Sequence, residues 1–153
     1  VIIIFITVFI DYKYPSGTWR YRLTITLDTP EGEVSGSNVR EISDKTPIIS
    51  FPGSTAPAQE KGEAVVVDLK KRGVLFALID WNSDQEIYQS FPYPGGYRSS
   101  IVYYRSLKPG QKANVPIRAW PKMMTFTDPD DATSIVEVLS IERCYARSSD
   151  WGG

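Results

Sequence analysis

The chain contains no histidine and a single cysteine, Cys144. Without imidazole there is no Ser-His-Asp or Cys-His unit and no histidine-bound metal, which removes large classes of hydrolase and metalloenzyme. A lone cysteine forms no internal disulfide, and Cys144 reads as a small packed residue rather than a nucleophile. Acid–base work would then fall to carboxylates drawn from Asp80, Asp84, Glu86 and the cluster Asp128-Pro129-Asp130-Asp131. That cluster offers the hard oxygen ligands that calcium takes. It lacks the alternating Asp spacing and distal Glu of a calcium loop, and Pro129 stiffens it. A turn in which an Asp or Thr133 caps the following segment is the simpler reading. Gly95-Gly96 and Gly152-Gly153 lack the strand–helix setting and the following Lys of a phosphate loop. Ser99 and Ser100 have no Gly-x-Ser-x-Gly frame. The expectation is therefore no catalytic residue, no metal site and no cofactor.

Aromatic residues offer a different chemistry. Between residues 81 and 104 lie Trp81, Tyr88, Phe91, Tyr93 and Tyr97, interrupted by Pro92, Pro94, Gly95 and Gly96, and then Tyr103 and Tyr104. Such a segment either folds back on a sheet or presents rings to a partner protein or a sugar. Trp81, Tyr88, Phe91, Tyr93 and Tyr97 are accordingly the candidate partner or ligand surface. The segment reads as a long self-packed loop followed by a strand at 101–104.

The elements that would position these residues are strands. A chain of 153 residues with 42% apolar and 23% charged residues fits one folded domain. At a net charge of −1 it has no field for a polyanion, and nucleic acid is not expected as a partner. Strict alternation over residues 18–28 puts Trp19, Tyr21, Leu23, Ile25 and Leu27 on one face and Arg20, Arg22, Thr24 and Thr26 on the other, as in a strand half-buried in a sheet. Thr29-Pro30-Glu31-Gly32 turns it into an antiparallel strand over 33–42. Residues 43–61 read mainly as loop, with a short extended piece at 48–51. Strands at 62–69 and 74–79 pair across a turn at 70–73, and their nearly continuous apolar runs predict the centre of the sheet. A turn at 107–112, a strand at 122–127 and a turn at 128–133 follow; residues 134–140 are short helix or strand. No stretch has three turns of helical period. The predicted fold is mainly β, an antiparallel sandwich or strongly bent sheet with little helix, covering residues 18–153.

Residues 1–10, Val-Ile-Ile-Ile-Phe-Ile-Thr-Val-Phe-Ile, carry no charge. Ten residues are too few to span a bilayer, so they read as the C-terminal part of a membrane-anchoring helix that begins before Val1; a buried β-strand is the other reading. Residues 11–17 form a juxtamembrane linker, and Tyr12, Tyr14 and Trp19 are the expected membrane-interface residues.

Tyr21-Arg22-Leu23-Thr24, Thr29-Pro30-Glu31-Gly32, Gly36-Ser37, Gly62-Glu63-Ala64-Val65, Asp68-Leu69 and Val74-Leu75-Phe76-Ala77-Leu78 together resemble an uncharacterised family of small proteobacterial proteins. Thr125-Phe126, Asp128, Asp131, Ser134, Ile135 and Val138 resemble the same family's Thr-Phe-x-Asp-x-x-Asp-Pro-x-Ser-Val-x-x-Val stretch. Ala132 stands where that stretch has its Pro, and Pro129 is extra. The likeness covers the hairpins and the late turn but not the aromatic segment. It implies an N-terminal membrane segment, one extramembrane β-rich domain, a bacterial inner-membrane location and a closing strand beyond Gly153; it supplies no activity and leaves the side of the membrane open. The expected function is a non-enzymatic, membrane-anchored domain, an accessory or interaction subunit of a membrane protein complex. The alternative is a glycan- or peptidoglycan-binding module that uses the aromatic loop.

Overall fold

A computed structural model describes residues 15–47, 58–80 and 83–138, and the backbone of 144–150. The two longest strands, β1 (Ser16–Thr29) and β2 (Gly32–Lys45), form a hairpin in which Thr29 pairs with Gly32 and Ser16 with Lys45. Its tight turn works because Pro30 presets its own φ and Gly32 takes a φ of +116°. β3 (Gln59–Lys61) pairs with β2, and β8 (Cys144–Asp150) with the other side of β1, giving a four-stranded antiparallel sheet in the order β3-β2-β1-β8.

β4 (Val65–Asp68), β5 (Val74–Ala77), β6 (Met123–Phe126) and β7 (Ile135–Glu137) make a second four-stranded antiparallel sheet in sequence order. The two sheets enclose one core. Trp19, Tyr21, Leu23, Ile25 and Leu27, the alternating face of β1, meet Val65, Val67, Leu75, Ala77 and Met123 from the second sheet. The fold is thus mainly β and antiparallel, with the predicted face of β1 inside.

Three expectations are corrected. β4 lies at the rim of its sheet rather than at the centre, and Val66 is 49% exposed. The apolar run was misleading because the free edge of β4 abuts β2. A Cβ on Gly36 would come within 2.0 Å of the Val66 carbonyl oxygen, so only glycine admits this approach. The strand expected at 101–104 is a helix, and the long aromatic loop is interrupted by two short helices, α1 (Gln85–Ser90) and α2 (Ser100–Ser106). Ser99 is extended and its side chain accepts a hydrogen bond from the Val102 N–H, an N-cap that turns the chain so that Ile101 and Tyr104, three residues apart, both face the core. The loop expected at 43–61 begins with the end of β2 and finishes with β3.

Within the undecided segment 134–140, Ile135–Glu137 forms strand β7. The turn before it is capped as expected: Asp131 Oδ1 accepts from the Thr133 N–H at 2.8 Å. No helix among the described residues is long and apolar enough to cross a membrane. Residues 1–14, with the proposed anchor, Tyr12 and Tyr14, lie outside the described residues, as do 48–57 and Trp81.

Candidate functional site

β2 contributes five residues to the inner face opposite β1: Val34, Gly36, Asn38, Arg40 and Ile42. Only Val34 and Ile42 of these are large and apolar. Arg40 is fully buried, facing Tyr21, which is also fully buried. An arginine there needs partners. Its Nη1 donates to Glu86 Oε1 of α1 at 2.6 Å, and Glu60 Oε1 of β3 lies 3.8 Å from the same nitrogen. Nη2 donates to the carbonyls of Ala77 and Leu78 at 3.3 and 3.2 Å, where β5 ends. Arg40 therefore ties α1, β3 and the end of β5 to the middle of the first sheet.

Tyr21 completes the cluster. Its hydroxyl donates to Glu60 Oε1 at 2.7 Å, and its oxygen lies 3.1 Å from Glu86 Oε2. One hydroxyl hydrogen serves one acceptor fully, and a proton on Glu86 would donate across the second gap. The electrostatics point the same way. Burial, and then the charge of Glu60 against the pull of Arg40, pushes the Glu86 carboxyl up to about 7. Burial also raises Glu60, despite its hydrogen bond from Tyr21 and the charge of Arg40. Tyr21 is driven far above the ordinary phenol range by burial and the two carboxylates. Burial is the largest influence on Arg40 and would lower it, but Glu86, Tyr21 and Glu60 together outweigh it and the guanidinium is held more firmly protonated. Among the described residues, Trp19 Nε1, Arg40 Nε and Glu60 Oε2 are buried without a hydrogen-bond partner.

Two carboxylates of raised pKa side by side have the electrostatics of an acid–base dyad. Access is what they lack: Glu86 is 1% exposed and the side chain of Glu60 7%. Of the carboxylates singled out in the sequence, Glu86 belongs to this cluster, with Glu60 as its companion rather than Asp80 or Asp84. Asp80 and Ser83 close the turn that starts α1, where Ser83 Oγ accepts from the Asp80 N–H at 2.6 Å. A nearby cleft of about 480 Å³ is lined by Ser16, Gly17, Thr18, Ser43, Asp44, Lys45 and Gln59. Its one carboxyl, Asp44, is raised by burial, and also by the charge of Asp84. In the acidic turn, Asp128 Oδ1 accepts from the Asp130 N–H and Asp131 binds Thr133, so these groups serve their own loop. Among the described residues no group of three acidic or cysteine side chains could hold a metal ion.

The aromatic residues are brought together outside this cluster. Trp19, expected at a membrane interface, is instead 5% exposed and stacked on Tyr104 at 5.4 Å. Tyr104 donates to the Phe91 carbonyl at 2.9 Å and contacts Tyr88 and Tyr103, each at 5.0 Å. Tyr103 in turn contacts Tyr93 at 5.9 Å and Tyr97 at 5.2 Å. Tyr88 and Phe91 are half-buried against the core, whereas Tyr93 and Tyr97 are 41% and 43% exposed. The Tyr93 hydroxyl donates to the Tyr97 carbonyl at 2.7 Å and fixes the loop between them. Among the described residues, the predicted surface thus divides into two anchoring rings and two presented ones, with Tyr103 between.

Sequence reasoning left Tyr103 out of the surface, because a strand at 101–104 would have placed it differently, and it named Glu86 without linking it to Tyr21, Arg40 and Glu60. The signal for the cluster was the polar inner face of β2. Compared with protein-family models, curated proteins and solved structures, the chain has no match.

Proposed function

We propose that this is a non-enzymatic interaction module, attached to a membrane through residues 1–10, that holds a protein partner on the Tyr93–Tyr97–Tyr103 surface as an accessory subunit of a membrane complex. The observation that carries this reading is the exposure of Tyr93 and Tyr97, 41% and 43%, on a loop whose rings lead through Tyr103 and Tyr104 to Trp19 in the core. Rigid, half-exposed tyrosines lose little entropy on binding and are enriched at the centres of protein interfaces. The non-enzymatic part rests on the sealed state of Glu86 and Glu60, the groups best tuned for proton transfer. Membrane attachment rests on the uncharged run 1–10 and the family resemblance.

A protein partner is favoured over a glycan by ring geometry. Tyr93 and Tyr97 are inclined to Tyr103 by 61° and 59°, which makes a knobbed surface rather than one flat face for a sugar ring. The test is co-purification of the full-length chain in mild detergent, wild type beside Tyr93→Ala/Tyr97→Ala. The double variant is expected to lose a stoichiometric partner while its thermal midpoint stays within a few degrees. Retention of the partner by the folded variant would move the interface elsewhere.

A further inference from the structure

The face of the second sheet that points away from the core is apolar. Its register sets Val66, Phe76 and Met124 in one row across β4, β5 and β6, with Glu137 of β7 at the end. The next row, continuing the same register, is Asp68, Val74, Phe126 and Ile135. The two central strands therefore show Val74, Phe76, Met124 and Phe126 outward, with Phe76 and Phe126 in edge contact at 5.6 Å. Val66 and Ile135 extend the patch to both rims at 49% and 44% exposure. An antiparallel sheet with a wet outer face would carry polar residues here. The two carboxylates, Asp68 and Glu137, stand at diagonally opposite corners, outside the four central apolar side chains.

Charge supplies the occupant. The β4–β5 and β6–β7 turns lie side by side at one end of this sheet. The first carries Lys70, Lys71 and Arg72, and the second Asp128, Asp130 and Asp131, all exposed. A second copy laid face to face, about a twofold axis roughly parallel to the strands, exchanges left for right and keeps the turns at the same end. β5 then lies over β6 of the other copy, apolar on apolar. The basic turn of each copy lies over the acidic turn of the other, twice. We infer that the outer face of the β4–β7 sheet is a homodimer interface, closed by these two reciprocal contacts.

The face is roughly 14 Å across and roughly 13 Å long. With its turns it falls short of the ~800 Å² per partner of a standard interface, so the dimer is weak and reversible. Lys71 and Asp130 are the cleanest probes, because neither side chain has a bonded partner among the described residues; Lys70 and Arg72 already pair with Asp68 and Glu31.

Sedimentation of the full chain in density-matched detergent over about 1–300 µM reads the equilibrium, and residues 1–10, common to every variant, contribute equally throughout. Wild type is expected to pass from monomer to dimer in this range. Val66→Glu, on an exposed rim and laid against Glu137 of the other copy, should remain monomeric with its β-sheet circular dichroism unchanged. Lys71→Glu and Asp130→Lys should each weaken the dimer about fivefold or more, since like charges then face each other. An equimolar mixture should recover the wild-type constant as a heterodimer, captured through different tags on the two chains. Wild type monomeric throughout, Val66→Glu dimerising as well as wild type, or a mixture no tighter than either variant alone would each overturn the inference.

Discussion

Glu86 sits where a neutral side chain is the cheaper occupant, and this sets how the domain responds to pH. Its carboxyl rises from the ordinary 4.5 to about 7 in the folded chain, so the folded state binds a proton that the unfolded state has released. The contribution of this proton is complete below about 4.5 and is lost as pH rises through about 7. Acidifying from pH 7.5 to 5 should therefore stabilise the wild type relative to Glu86→Gln, by on the order of 3 kcal/mol at most. Urea titrations of both proteins across that range check it, and parallel pH dependences would deny Glu86 the role. Arg40 is the other half of the argument. Arg40→Met leaves two carboxylates and a phenol without their cation, at a cost of about 3–5 kcal/mol at neutral pH. The deficit should shrink on acidification, as the carboxylates take up protons.

The elements are held at two close approaches, each with its own substitution. Gly36 lets the edge of β4 touch β2, and a methyl group there would overlap the Val66 carbonyl. Gly36→Ala should cost about 3 kcal/mol or more through backbone displacement, read as a lowered denaturation midpoint. Ser99 caps α2, and Ser99→Ala should cost about 1 kcal/mol. It should also loosen Tyr103 and Tyr104, seen as faster hydrogen exchange over 100–106. These two places also show how much the sequence disclosed. The hairpins were legible because period-two alternation in β1 and the turn at 29–32 are local signals. The sheet boundary was not, because a continuous apolar run does not distinguish a central strand from a rim strand whose edge is covered by another sheet. Helix α2, with seven residues, offers too few turns for a helical period, and its tyrosines read as β-formers. The buried cluster joins β1, β2, β3 and α1, residues 21, 40, 60 and 86, and no local pattern links positions so far apart.

On the scale of the whole molecule, the domain buries its titratable chemistry and displays its rings. The Arg40 cluster fastens α1 to the sheets, and α1 with α2 carries the tyrosine surface, so the buried charges would act on the proposed partner surface through position. The tyrosines and the apolar face of the second sheet lie on different elements, so the proposed partner and the inferred second copy would meet separate surfaces. The most direct test of the partner surface is photo-crosslinking in native membranes, with a photoreactive phenylalanine replacing Tyr97 in one protein and Val39 in another. Val39 is 40% exposed on β2 and serves as the matched control. The account predicts one discrete crosslinked membrane protein from position 97 and none from position 39; no adduct at 97, or the same adducts from both positions, would contradict it.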